Sequence, residues 1–103
     1  MKTYNKLVRD KIPEICEANG ATPHTRIIKD DNEYLTALCD KLGEEAQEVK
    51  EDPSLEELAD TLEVIQSIGR VLGYTPDQIE VARLQKAQER GGFDERVFLI
   101  STE

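Results

Sequence analysis

Apolar residues recur at helical spacing through the middle of the chain. Leu35, Leu38, Leu42 and Val49 fall on one face of a helix predicted from about residue 32 or 33 to residue 51. Asp30, Asp31 and Asn32 offer caps ahead of it, and Asp52-Pro53 breaks it. Ser54 caps a second long helix, which is expected to run to about residue 72 and stop at Gly73. That helix carries two apolar stripes. Leu55, Leu58, Leu62, Ile65 and Leu72 make one, and Val64, Ile68 and Val71 make another roughly a third of a turn away, in line with Glu57 and Asp60. A helix that is apolar on two sides is expected to be largely buried, with the second stripe covered from outside the chain.

Shorter elements flank this pair. A helix is predicted over about residues 10–18, with Pro13 in its first turn and Asn19-Gly20 at its end. Thr75-Pro76 opens a last helix, which reaches about residue 90 and ends at Gly91-Gly92. Residues 25–29, with Ile27 and Ile28, and residues 96–101, with Val97, Phe98, Leu99 and Ile100, read as short strands that can pair as a small β patch on a helical body. The expected fold is therefore all-α, a single domain over residues 1–103.

Composition narrows the function. No apolar run is long enough to span a bilayer and no secretory signal opens the chain, so a soluble cytoplasmic protein is expected. Cys16 and Cys39 are expected to be reduced, small, buried residues, and His24 a surface or loop residue. A net charge of −9 argues against binding a nucleic-acid polymer or an anionic membrane, both of which need a basic surface. The charge is also unevenly spread. Glu44, Glu45, Glu48, Glu51, Asp52, Glu56, Glu57 and Asp60 crowd the centre, whereas Lys2, Lys6, Arg9 and Lys11 mark the start and Arg83, Lys86, Arg90 and Arg96 the end. An acidic centre with basic flanks can suit a metal ion together with a phosphate.

Four of the acids stand out by spacing. Glu45 and Glu48 are three apart on one helix, and Glu57 and Asp60 three apart on the next. The break at Asp52-Pro53 is short, so the two helices should form a hairpin whose acidic pairs face one another. Partly buried carboxylates are costly unless paired, and no lysine or arginine lies close enough in sequence to pair all four. A divalent cation would neutralise them, and Mg²⁺ prefers such oxygen ligands. A plainer role exists for Glu57: Ser54-Leu55-Glu56-Glu57 has the capping-box pattern, which would tie its side chain to the Ser54 backbone. Glu44, Glu51, Asp52 and Glu56 read as solvated surface.

The run Glu45-Ala46-Gln47-Glu48 followed by Glu57-Leu58-Ala59-Asp60 resembles the ExxE…ExxD signature of the MazG-like all-α nucleoside triphosphate pyrophosphohydrolases. Three further stretches resemble the subgroup called phosphoribosyl-ATP pyrophosphohydrolase-like: Tyr4 to Pro13, Lys41 to Glu45, and Glu89 to Phe93. The resemblance implies a helical bundle completed by oligomerisation, as a homodimer or homotetramer, with Mg²⁺ held by Glu45, Glu48, Glu57 and Asp60. It implies an enzyme that hydrolyses a nucleotide to a monophosphate and pyrophosphate, in a house-cleaning role. Glu48 is the expected general base, the group that takes a proton from water. Lys6, Arg9, Lys11, Lys86 and Arg90 are the candidate phosphate ligands, and Asn5 a candidate contact for base or sugar. Two other functions fit the same residues: phosphoribosyl-ATP pyrophosphohydrolase of histidine biosynthesis, and a non-catalytic acidic helical module for oligomerisation or nucleotide sensing.

Overall fold

Four helices make up the regular structure of residues 2–103, the part of the chain that the computed structural model describes: α1 (Ile12–Ala18), α2 (Asp31–Glu51), α3 (Leu55–Leu72) and α4 (Pro76–Arg90). Their ends are set by local chemistry. Asp30 accepts the Glu33 N–H at 2.9 Å to start α2, and Ser54 accepts the Glu57 N–H at 3.3 Å to start α3. Thr75 and Gln78 cap α4 reciprocally, with Pro76 at the first helical position. Each such cap contributes about 1 kcal/mol. At the far end of α3, Gly73 takes a left-handed backbone (φ 87°), which lets the Tyr74 N–H return to the Gly69 carbonyl at 2.7 Å.

The three residues between α2 and α3 force an antiparallel hairpin, and this pair forms the main packed interface of the chain. Leu38 on α2, 3% exposed, and Val64 on α3, 8% exposed, are its buried apolar residues. α4 meets only the end of α3. The approach there is close: a Cβ on Gly69 would lie 2.6 Å from Cδ1 of Ile79, so a larger residue would have to displace the Ile79 side chain.

Two expectations are corrected. Residues 25–29 and 96–101 form no strand; among the described residues there is no sheet at all. Their apolar side chains stay largely outside, with Ile27 80% and Ile100 89% exposed and Ile28 half-buried. A β-branched or apolar run signals a need for burial, but a strand also needs a neighbouring edge to hydrogen-bond with, and neither segment finds one here. The two stripes of α3 also exchange roles. Val64, Ile68 and Val71 turn inward, while Leu55, Leu58, Leu62, Ile65 and Leu72 remain uncovered. Both cysteines are free, as expected, but Cys39 is exposed and Cys16 only half-buried.

The chain alone leaves much surface wet. Its accessible area is 9407 Å², against about 5,900 Å² for a compact monomer of this mass. Its radius of gyration is 17.6 Å, against about 13 Å for a compact chain of this length. No helix among the described residues is long and apolar enough to cross a membrane.

Candidate metal centre

The hairpin gathers acids on its inner face near the turn. Glu45 lies on α2 about two turns before Asp52, and Glu57 and Asp60 lie in the first two turns of α3. Glu45, Glu57 and Asp60 each place a carboxylate oxygen within 4.8 Å of the others, a group that could hold a metal ion. Glu45 is 6% exposed, and Glu57 and Asp60 are half-buried.

Glu48 sits beside Glu57 rather than within that mutual triplet. Its carboxylate lies close enough to act on Glu57 and is one of the charges acting on both Glu57 and Glu45. Desolvation, then the close approach of Glu48, then the charges of Glu48, Asp60 and Glu45 push the Glu57 carboxyl up to about 6. Desolvation and the Glu48 charge also raise Glu45, and Lys41 opposes them.

Oε2 of Glu45 and Oε2 of Glu57 are both buried with no donor. The capping role does not occupy Glu57: its backbone N–H reaches Ser54, but its carboxylate does not return to the Ser54 N–H, and the reciprocal box of this chain belongs to Thr75 and Gln78. Buried acceptors without donors cost about 1–3 kcal/mol each, more when charged. A hard divalent cation would meet both needs at once, since it supplies positive charge and accepts several oxygen ligands.

Cations reach two of the acids. Lys41 Nζ lies 3.5 Å from Glu45 Oε1, one turn back along α2, and Arg9 Nη2 lies 2.6 Å from Asp60 Oδ1. The Lys41 pairing was legible as a lysine four residues before a glutamate. The Arg9 pairing spans 51 positions and left no local signal. Glu48 and Glu57 have no ion-pair partner among the described residues.

The basic N-terminus lies over the same junction. Lys6 bonds to Glu44 at 2.7 Å, and Glu44 also receives Lys41 at 3.4 Å, so Glu44 is a half-buried partner of two lysines rather than free surface. The bond from Lys6 holds the Glu44 carboxyl below its ordinary range. Asn5 adopts a left-handed backbone (φ 47°) and, with Lys6, Leu7, Lys41 and Glu44, helps line a cleft of about 90 Å³. Lys11, Lys86 and Arg90 are exposed and make no ion pair within the chain among the described residues.

No family model matches the chain, and no solved structure matches it. An uncharacterized protein of Mycolicibacterium smegmatis is 51% identical over 45 residues, a stretch that covers 44% of this chain and 45% of that protein. The chain thus matches less than half the length of this relative.

Proposed function

We propose that the protein is a Mg²⁺-dependent pyrophosphohydrolase of the MazG-like class, cleaving a nucleoside triphosphate or related nucleotide to a monophosphate and pyrophosphate in the cytoplasm. The observation that carries this reading is the triplet of Glu45, Glu57 and Asp60 with two buried carboxylate oxygens that no donor reaches. A surface charge run would leave those oxygens in water. A scaffold would gain nothing from placing them against an apolar interface.

The residues present fit the ion in number, hardness and charge, with Glu45, Glu57 and Asp60 as its holders and Glu48 at their side. When bound, Mg²⁺ supplies charge neutralisation for the polyphosphate and activation of water. The remaining work falls to side chains. Glu48, beside Glu57, stands next to the holders without being one of the triplet, which suits a carboxylate that receives the proton of the attacking water. Arg9 and Lys6 bring positive charge to the edge of the same site, where they can take phosphate oxygens.

The nucleotide also needs walls that one chain does not provide. The cleft beside Lys6 holds about 90 Å³, against about 300–1,000 Å³ for ordinary small-molecule pockets. The bare stripe of Leu55, Leu58, Leu62 and Ile65 runs along α3, the helix that carries Glu57 and Asp60. The excess of accessible surface over a compact monomer is about 3,500 Å² per chain, more than enough for an obligate homomeric interface, which buries about 2,000–5,000 Å² summed over both partners. A homodimer or homotetramer formed through this face accounts for both features. Lys86 and Arg90, which reach no carboxylate of their own chain, would then serve a neighbouring subunit.

The test is pyrophosphate release from a panel of nucleotides, phosphoribosyl-ATP included, with and without Mg²⁺. Release that depends on Mg²⁺ and is lost in Glu48→Gln and Asp60→Asn is expected. Absence of release from every nucleotide at saturating Mg²⁺ would return the chain to the class of acidic, non-catalytic helical modules.

A further inference from the structure

The N-terminal segment ahead of α1 is pinned to the hairpin at two points. Lys6 is bonded to Glu44 on α2, and Arg9, three residues on, to Asp60 on α3. Leu7 and Val8 between them are half-buried. The segment therefore forms a strap across the junction of the two helices that carry the acids. Its two anchors differ in kind. Glu44 lies outside the carboxylate triplet, whereas Asp60 is a member of it.

Arg9 uses little of its bonding capacity. A guanidinium has five N–H donors, and the one side-chain bond that the structure gives Arg9 goes to Asp60 Oδ1. Its side chain is 55% exposed, so turning it away from Asp60 uncovers little. A guanidinium and a divalent cation carry the same sign of charge, and contact of both with one carboxylate at once is opposed by their repulsion. Lys6 would keep hold of Glu44 when Arg9 lets go. Three residues of chain span at most about 10–11 Å, so the freed guanidinium would stay at the edge of the site.

We propose that Arg9 is an exchangeable counter-ion. It neutralises Asp60 while the carboxylate site lacks a cation, is displaced from Asp60 when a divalent cation enters, and then turns its donors to the phosphoanion bound there, a nucleoside polyphosphate or pyrophosphate. This rests on the metal-centre reading above and adds an order of events to it: cation first, phosphate second, with one side chain linking the two. An arginine that merely braced the N-terminus would aid cation binding or leave it unchanged, whereas a competing counter-ion must oppose it.

The experiment measures Mn²⁺ affinity of the full chain by electron paramagnetic resonance, with no nucleotide present, for the wild type, Arg9→Gln and Arg9→Lys. An exposed ion pair is worth about 0.2–1 kcal/mol, so its loss is expected to tighten Mn²⁺ by roughly 1.5- to fivefold in Arg9→Gln. Arg9→Lys, which keeps the charge, is expected to stay closer to the wild type. The Mn²⁺–pyrophosphate complex, titrated calorimetrically into Mn²⁺-saturated protein, is expected to bind at least about tenfold more weakly to Arg9→Gln than to the wild type, the loss of a charge-assisted bond. In the unmutated chain, the Arg9 side-chain NMR resonance is expected to move on addition of Mg²⁺ alone. Saturable Mn²⁺ binding that is unchanged or weakened in Arg9→Gln overturns the exchange and leaves the metal centre standing. So does an Arg9 resonance that stays still at saturating Mg²⁺, or pyrophosphate affinity that does not fall. Absence of saturable Mn²⁺ binding in both the wild type and Arg9→Gln overturns the metal centre, and the exchange with it.

Discussion

Lys41 Nζ lies 3.5 Å from Glu45 Oε1, while Oε2 of the same carboxylate is buried with no donor. Lys41 thus gives half of what Glu45 requires. It is itself largely covered, its side chain 16% exposed, because it shares its ammonium between Glu44 and Glu45. Replacing Lys41 with Gln would leave Glu45 charged, buried and without a cation. The expected cost in EDTA is about 1–3 kcal/mol, read as a lower urea midpoint with an unchanged slope. Saturating Mg²⁺ is expected to recover part of the loss. A change within about 0.5 kcal/mol, the range of ordinary surface substitutions, would show that Glu45 is comfortable without its lysine.

The crowding of Glu57 by burial and by its acidic neighbours gives the cation-free protein an unusual pH response. The Glu57 carboxyl is raised to about 6 from an ordinary value of 4.5. Between those values the folded chain binds more protons than the unfolded one, so this group's stabilising contribution is complete below about 4.5 and is lost as pH rises through 6. Glu44 acts in the opposite sense, since Lys6 holds its carboxyl down and its contribution is lost in more acid solution. Thermal melts in EDTA are therefore expected to peak near pH 5 and to fall toward pH 7. The decline on the alkaline side is expected to shrink in Glu57→Gln, leaving the part that the raised Glu45 contributes, and to flatten in Mg²⁺, which takes the place of the proton. A wild-type melting temperature that climbs steadily from pH 5 to 7 in EDTA would refute the raised Glu57 carboxyl.

The helices were legible because their signals are local. Ser54, Gly73, Thr75 and Pro76 mark ends that the structure reproduces, and the three-residue spacing of Glu57 and Asp60 places both on the inner face of α3. What failed was inference about covering. Periodicity shows that α3 has two apolar stripes but not which of them meets α2, because both satisfy the same helical repeat. Apolar content likewise made residues 96–101 look like a strand, although strand formation is decided by a partner edge that sequence spacing does not reveal. The Arg9–Asp60 contact was invisible for a related reason: 51 residues separate its members, and only the folded hairpin brings the strap to α3. The carboxylate triplet itself needed both kinds of information, local spacing within each helix and the antiparallel turn between them.

The exposed stripe on α3 makes a direct claim on solution state. Leu58 and Leu62 are 57% and 53% exposed in the single chain, with Leu55 at 83%. If this face joins copies, a charge at its middle must be desolvated on association. Leu62→Lys is expected to weaken self-association by at least about thirtyfold, the factor for 2 kcal/mol at a well-packed interface position. Sedimentation velocity would show a shift from dimer or tetramer to monomer at micromolar concentration. The helical signal of circular dichroism need not survive, because little else covers α3. A variant that sediments with the wild-type assembly, or a wild type that is monomeric at every concentration, would contradict the interface.

Mg²⁺ is expected to act on the folded chain more strongly than salt does. A ligand that binds only the native state stabilises it by about 2.7 kcal/mol at a concentration 100 times its dissociation constant, and for a domain of this size each kcal/mol moves the melting temperature by about 4–8 °C. The same ionic strength supplied as NaCl screens the repulsion among Glu45, Glu48, Glu57 and Asp60 without supplying ligand bonds to the orphaned oxygens of Glu45 and Glu57. Asp60→Asn keeps the volume of the side chain but removes a charge from the triplet and the partner of Arg9. Most of the Mg²⁺ response is therefore expected to disappear in that variant, while the NaCl response persists. The comparison requires each protein to be melted in EDTA, in MgCl₂ and in NaCl of matched ionic strength. Equal responses to MgCl₂ in the wild type and Asp60→Asn would assign the effect to screening, and the acids of the hairpin would then be a charged face with no ion of their own.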